Sequence, residues 1–110
     1  MKKIYNKLIR DKIPEIIESD GCQAKVRVLG KKEILLELRR KVLEEANELI
    51  EAENKSDIVN ELADILELID AILENQNINP KLLKKEQKLK YKKRGGFKKG
   101  LFLEYVIENK

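Results

Sequence analysis

Apolar residues recur every three or four positions through the middle of the chain, a pattern that predicts two amphipathic helices. The first is predicted from about Lys32 to Ala52 and the second from the turn at 53–56 to about Glu74. Ser56 is the expected N-cap of the second helix, because its hydroxyl can accept a hydrogen bond from a backbone N–H of the first turn. Two long helices joined by a short turn predict an antiparallel hairpin.

Two shorter helices are predicted on either side of this hairpin. Pro14 suits the first turn of a short helix that ends before Gly21, because proline lacks an N–H that the first turn would leave unpaired. Asn79 and the proline after it are expected to cap a weakly amphipathic helix over residues 81–93. The helical segments therefore account for most of the chain.

Two further segments have the character of strands. Residues 24–29 alternate apolar and polar side chains, and residues 101–107 are expected to form the strand that pairs with them. The expected fold is mainly α, an antiparallel helical hairpin or bundle of the all-α type with a small two-stranded sheet. The length of 110 residues is enough for one core, so residues 1–110 are expected to form a single domain.

The composition excludes several kinds of chemistry. The sequence contains no histidine, which excludes Ser-His-Asp triads, Cys-His dyads and zinc sites with His ligands. Carboxylates, lysine, tyrosine or water must therefore carry any proton transfer or metal binding. Charged residues make up 40% and hydrophobic residues 42% of the chain, so a folded rather than a disordered protein is expected.

The expected location is cytoplasmic. Cys22 is the single cysteine and cannot form an internal disulfide, which fits a reducing compartment. The N-terminal residues lack the continuous apolar stretch of a signal peptide. No segment approaches the roughly 18 apolar residues that a membrane span requires, so no membrane partner is expected.

The net charge of +4 conceals an acidic centre and a basic C-terminal part. Residues 41–74 contain eleven acids and two bases, whereas residues 81–100 contain ten bases and one acid. A uniformly basic chain would favour nucleic acid as the partner. An acidic centre followed by a basic segment instead favours a cation held by the first and phosphates bound by the second. Nucleic acid is therefore not the expected partner.

Two pairs of acids are the strongest candidates for a functional site. Glu45 and Glu48 lie three residues apart in the first long helix, and Glu61 and Asp64 have the same spacing in the second. Residues three apart share a helix face. The midpoints of both pairs lie about eight residues from the turn, which places both pairs roughly 12 Å from it. Facing helices would bring the carboxylates together.

Crowded carboxylates are tolerated only if they are protonated or if they bind cations. Oxygen ligands of this kind suit Mg²⁺ or Mn²⁺, and Mg²⁺ commonly completes its shell with water and substrate phosphates. The alternative is a solvated acidic face, because acids at this spacing also occur by chance in helices. That interpretation is preferred for the other acids of the hairpin, which include Glu44, Glu51, Glu67, Asp70 and Glu74.

Four segments of the chain, taken in order, resemble a known family. They are YNKLIRDKIPEII at 5–17, LEEANE at 43–48, ELADILELIDA at 61–71 and KRGGF at 93–97. The two acidic segments look like the E-x-x-E and E-x-x-D motifs of MazG-type nucleoside triphosphate pyrophosphohydrolases, which belong to the all-α pyrophosphatase superfamily. The flanking segments are similar to the phosphoribosyl-ATP pyrophosphohydrolase-like branch of that superfamily.

The resemblance implies hydrolysis of a nucleoside triphosphate between the α- and β-phosphates, which yields a nucleoside monophosphate and pyrophosphate. A role in the house-cleaning of nucleotide pools would follow. It also implies that Mg²⁺, with Mn²⁺ as the other candidate, is held by the acids of the two motifs, Glu45, Glu48, Glu61 and Asp64. Which of these carboxylates accepts the proton of the attacking water stays open. Members of the family assemble as dimers or larger oligomers, so a homo-oligomer is expected.

Basic and polar residues are candidates for binding the phosphates of the substrate. Lys41 lies one helical turn before Glu45, and Lys93 and Arg94 precede two glycines whose N–H groups can bind an anion. A second polar cluster, near the N-terminus, contains Asn6, Lys7, Arg10 and Lys12. Structural roles remain open for all of them: solvation, capping of a helix C-terminus, or ion pairs with acids of a neighbouring helix.

Two functions of another class also remain open. One is a nucleic-acid-binding module built on the lysine-rich helix at 81–93, although a stacking platform needs several aromatic rings and this helix carries only Tyr91. The other is a catalytically silent helical interaction protein that dimerises through the hairpin, which leaves the matched carboxylate pairs unexplained. The absence of any dependence on Mg²⁺ would favour either one.

Overall fold

The computed structural model describes residues 1–108. Four helices, and no strand, are present within these residues: α1 (Ile13–Ser19), α2 (Lys31–Glu51), α3 (Lys55–Asn75) and α4 (Pro80–Arg94). The mainly helical fold class predicted from the sequence is therefore confirmed. The chain divides into two compact units, Met1–Ile78 and Asn79–Lys110, and the prediction of a single domain stays a prediction.

The first unit is built on a hairpin of α2 and α3, which pack against each other. Leu38 on α2 and Leu68 and Leu73 on α3 are its buried apolar side chains. At the open end of the hairpin, the side-chain amide of Asn75 donates a hydrogen bond of 3.3 Å to the carbonyl of Lys31. A bond between the end of α3 and the start of α2 requires that the two helices run antiparallel, as predicted.

The turn of the hairpin is shorter than expected. Asn54, not Ser56, is the N-cap of α3, and its side-chain oxygen accepts a hydrogen bond of 2.9 Å from the backbone N–H of Asp57. The prediction of Ser56 was wrong because both residue types have the oxygen that a cap needs, and the earlier one closes the turn first. Ser56 therefore lies within the first turn of α3.

The predicted two-stranded sheet is wrong. Residues 24–29 and 101–107 have no regular secondary structure, and the two segments belong to different units. Their apolar side chains are solvent-exposed, as Val28 at 95% and Phe102 at 89% illustrate. A segment with alternating apolar and polar side chains is stable as a strand only if a neighbouring strand pairs with its backbone and a core covers one face. Neither condition is met within residues 1–108.

The remaining two helices begin and end close to the predicted positions. Pro14 lies in the first turn of α1, and the chain turns after Ser19 through Asp20 and Gly21, whose φ of +85° suits glycine. In the second unit, Asn79 caps α4 by accepting a hydrogen bond of 2.9 Å from the backbone N–H of Lys81. No side chain of α4 is buried. None of the four helices within residues 1–108 has the length and apolar composition of a membrane span.

Candidate metal centre

The packing of α2 against α3 brings the predicted carboxylates together. Carboxylate oxygens of Glu45, Glu61 and Asp64 lie within 4.8 Å of one another. A second group with the same spacing contains Glu44, Glu45 and Glu48. Glu45 belongs to both groups and therefore stands at the centre of a continuous set of carboxylates, which we call the acidic cluster: Glu44, Glu45, Glu48, Glu61 and Asp64.

Glu44 is the member of the acidic cluster that the sequence analysis missed. The sequence predicts its carboxylate on the solvated face of the hairpin, yet it is half-buried and lies next to that of Glu45. The signal was present in the spacing, because Glu44 and Glu48 are four residues apart and share a helix face. The E-x-x-E motif pairs Glu45 with Glu48 and does not include Glu44.

Burial and crowding change the protonation of Glu45. Loss of solvent around the carboxyl group, hydrogen bonding with the carboxyl groups of Glu61 and Glu48, and the negative charges of Glu48 and Asp64 together raise the pKa of Glu45 to about 8. In the absence of a cation, Glu45 is therefore mostly protonated at neutral pH. The negative charges of the cluster repel one another, and a bound cation would reduce this repulsion.

Two buried oxygens of the cluster have no donor outside the cluster. Oε2 of Glu45 and Oε2 of Glu61 are inaccessible to solvent, and apart from a proton that the carboxyl groups share, no hydrogen-bond donor within residues 1–108 reaches either atom. A buried acceptor without a partner is rare in folded proteins, because it has lost its hydrogen bonds to water and has formed none within the protein. A cation would supply the missing interaction, so the buried atoms fit a metal site.

The chemistry of the donors indicates which cations fit. All ligand atoms are carboxylate oxygens, which are hard donors of the kind that Mg²⁺ and Mn²⁺ prefer, whereas zinc sites favour sulfur and imidazole nitrogen. Glu45, Glu61 and Asp64 offer such oxygens from two helices, and Glu48 adds an exposed carboxylate beside Glu45. The donor set is therefore suited to a hard divalent cation whose remaining ligands are water or phosphate.

Basic side chains surround the acidic cluster. Nη2 of Arg10 donates a hydrogen bond of 2.7 Å to Oδ1 of Asp64. Nζ of Lys7 lies 3.4 Å from Oε1 of Glu44, and Nζ of Lys41 lies 3.8 Å from the other oxygen of the same carboxylate. Five carboxylates thus face three cations, which leaves two negative charges when every acid is ionised.

The other predicted substrate-binding residues are Asn6 in the first unit and Lys93 and Arg94 in the second. Asn6 is exposed in the N-terminal segment with a φ of +46°, a conformation that asparagine tolerates. No side-chain hydrogen bond within residues 1–108 joins Asn6 to the cluster. Lys93 and Arg94 belong to the second unit, where they form the exposed last turn of α4 in front of Gly95. The structure thus brings Lys7, Arg10 and Lys41 to the acidic cluster.

One family of known proteins matches most of the chain. The sequence profile of the phosphoribosyl-ATP pyrophosphohydrolase family matches residues 5–90, a span that contains α1, α2, α3, the whole acidic cluster and its three basic neighbours. Neither a curated protein nor a solved structure has a significant match to the chain.

Proposed function

The chain belongs to the phosphoribosyl-ATP pyrophosphohydrolase family, and from that premise we propose that it hydrolyses a nucleoside triphosphate between the α- and β-phosphates. The family places it among pyrophosphohydrolases that act on nucleotides. The products of the proposed reaction are a nucleoside monophosphate and pyrophosphate, and the proposed cofactor is Mg²⁺, with Mn²⁺ as the substitute. A role in removing unwanted nucleotides from the pool is part of this proposal.

The observation that supports the proposal best is the convergence of Glu45, Glu61 and Asp64 from two helices. A solvated acidic face would hold its carboxylates apart and in water, whereas here Oε2 of Glu45 and Oε2 of Glu61 are buried with no donor from outside the cluster. The fold thus maintains an arrangement that costs stability without a cation. Such an arrangement is expected where the cation is part of the function.

Each group of residues has a proposed role. Four carboxylates, Glu45, Glu48, Glu61 and Asp64, hold the cation. When bound, the cation neutralises charge on the phosphate oxygens and lowers the pKa of the attacking water. One of the carboxylates accepts the proton of that water. Basic and amide side chains bind and orient the phosphates, and the proposed set is Asn6, Lys7, Arg10, Lys41, Lys93 and Arg94.

Self-association is part of the proposal. Leu36, Leu43 and Ile50 follow one another at seven-residue intervals on α2, and they are 47%, 65% and 81% exposed. Seven residues are close to two helical turns, so these side chains form one apolar stripe. A stripe of this kind on a helical hairpin is suited to pack against a second copy, and we propose a homodimer or a larger homo-oligomer.

The proposed location is the cytoplasm. Cys22 is a free, exposed thiol, which is typical of a protein that functions in a reducing compartment.

The deciding experiment is a pyrophosphate-release assay with Mg²⁺ and a panel of canonical, deoxy and modified triphosphates. Glu45→Gln and Asp64→Asn remove proposed ligands, and Glu51→Gln is the matched control because Glu51 is an exposed acid at the end of the same helix as Glu45. We expect the ligand variants to lose activity by at least about 100-fold, since even groups that only support metal ligands contribute about 10–100-fold. The control should retain full activity.

A negative result in this assay has a defined meaning. If no triphosphate is hydrolysed and Mg²⁺ does not stabilise the protein, the acidic cluster is a structural feature. The nucleic-acid-binding and interaction functions would then take precedence. A nucleic-acid-binding module would show an affinity that falls steeply with salt, which filter binding over a range of salt concentrations can measure.

A further inference from the structure

The shortest ion pair in the first unit joins Arg10 to Asp64, whose carboxylate is also a proposed metal ligand. The distance from its Nη2 to Oδ1 of Asp64 is 2.7 Å. The two residues are far apart in sequence, so this pair is a tertiary contact between the N-terminal segment and α3. Asp64 lies in the group of three converging carboxylates, and Arg10 is therefore placed at the proposed metal site itself.

We propose that Arg10 is the internal counter-ion of Asp64 in the metal-free protein and that its side chain leaves Asp64 when a divalent cation binds. The inference rests on the proposed function in one respect, namely that the acidic cluster holds a cation. It goes further by assigning Arg10 two positions, one on the carboxylate and one at the rim of the site, where its guanidinium is available to an anionic phosphate.

Electrostatic repulsion favours the exchange. A guanidinium and a divalent cation on the same small carboxylate group would repel each other at short range. The ion pair is also easy to break, because the side chain of Arg10 is 58% exposed and that of Asp64 is 33% exposed. Exposed pairs contribute little stability, since water screens them and holding long side chains in place costs entropy. A cation that several carboxylates bind together is the stronger partner.

The backbone near Arg10 allows the side chain to move while the chain stays in place. The carbonyl of Arg10 accepts a hydrogen bond of 3.0 Å from the N–H of Ile13, at the start of α1. Leu8 and Ile9, just before it, are half-buried. Lys7 also holds the segment through its pair with Glu44. The long flexible side chain of Arg10 is therefore the part that is free to exchange partners.

The experiment uses Mg²⁺ alone, without nucleotide, and observes the arginine side chains directly by NMR. The chain has five arginines, and the Nε–Hε signal of Arg10 is assigned by its loss in Arg10→Lys. We expect this signal to shift when Mg²⁺ is added. The signal of Arg27 should stay in place, because Arg27 pairs at 3.1 Å with Glu33, which lies outside the acidic cluster.

Calorimetric titration with Mg²⁺ provides a second readout. Arg10→Gln removes the competitor for Asp64 and should bind Mg²⁺ about two- to fivefold more tightly, the range that corresponds to an exposed ion pair. Arg27→Gln is the matched control and should bind like the wild type. Arg10→Lys keeps the charge and should lie between the wild type and Arg10→Gln.

The inference is overturned if the Arg10 signal is unmoved at a Mg²⁺ concentration that saturates the calorimetric titration. It is also overturned if Arg10→Gln binds Mg²⁺ no more tightly than Arg27→Gln. These outcomes are separable from the proposed function. If a nucleotide is hydrolysed but the Arg10 signal does not move, only the proposed exchange is rejected. If the Arg10 signal moves but no nucleotide is hydrolysed, only the proposed reaction is rejected.

Discussion

Glu45 of α2 and Glu61 of α3 have neighbouring carboxylates, and each buries one carboxylate oxygen beyond the reach of solvent. Apart from a proton shared between the carboxyl groups, no donor within residues 1–108 approaches either oxygen. Their mutual proximity is one of the causes that raise the pKa of Glu45. This relationship leads to predictions about how pH, cations and substitutions change the protein.

The metal-free protein should become less stable as the pH rises through neutrality. The pKa of Glu45 is about 8 in the folded state against 4.5 as its ordinary value, so the folded state binds more protons than the unfolded state between these limits. Under that condition the free energy of unfolding falls with rising pH, by at most about 1.4 kcal/mol per pH unit for one group. Urea denaturation in EDTA from pH 4.5 to pH 8.5 measures this slope.

Glu45→Gln provides the control for this slope, because an amide does not titrate. The variant should lose most of the pH dependence in this window, whereas Glu51→Gln should keep it. Equal slopes in the wild type and Glu45→Gln would show that other groups cause the pH dependence.

Divalent cations should stabilise the folded protein. A cation that binds only the folded state adds about 2.7 kcal/mol to the free energy of unfolding at a concentration of 100 times its dissociation constant. The melting temperature should therefore rise with Mg²⁺ or Mn²⁺ and return to its starting value with EDTA. The converging carboxylates predict that Glu61→Gln and Asp64→Asn abolish the rise.

A further control separates specific binding from ionic strength. Glu51→Gln should retain the rise in melting temperature, and an equal ionic strength of NaCl should not produce it. A rise that persists unchanged in Asp64→Asn would place the cation elsewhere.

The cap of α3 can be tested by substitution in the turn. Asn54→Ala removes the oxygen that accepts a hydrogen bond from Asp57 and should lower the free energy of unfolding by about 0.5–2 kcal/mol. Ser56→Ala should change it by less, because Ser56 lies within the first turn and is not the cap. Chemical denaturation of the two variants measures the difference. A larger loss of unfolding free energy in Ser56→Ala than in Asn54→Ala would show that Ser56 is the cap.

The apolar stripe on α2 predicts how the protein associates. Leu43→Asp places a charge in the middle of the stripe and should convert the proposed oligomer to a monomer in light scattering coupled to size exclusion. Leu89→Asp is the matched control, since Leu89 is also an exposed leucine on a helix, at 51%, but belongs to the second unit. A wild-type protein that elutes as a monomer would reject the self-association.

Several features of this protein could be predicted from its sequence because they depend on near neighbours in the chain. Apolar spacing predicted α2 and α3, and Asn79 caps the start of α4 as predicted. The approach of Glu45 to Glu61 and Asp64 also followed, because equal distances from a short turn place residues at one height of a hairpin, whereas Glu48 groups with Glu44 and Glu45. Helical geometry converts these local spacings directly into positions in space.

The tertiary structure decided the features that depend on contacts between distant residues. The two predicted strands did not form, since alternation in residues 24–29 cannot supply a partner strand. Glu44 joined the cluster and the long-range pairs of Lys7 and Arg10 formed. The pKa of Glu45 shifted only because burial and the acids of both helices act on one carboxyl group. Electrostatic energies depend on distance and solvent exposure in the folded chain, and spacing along a sequence specifies neither.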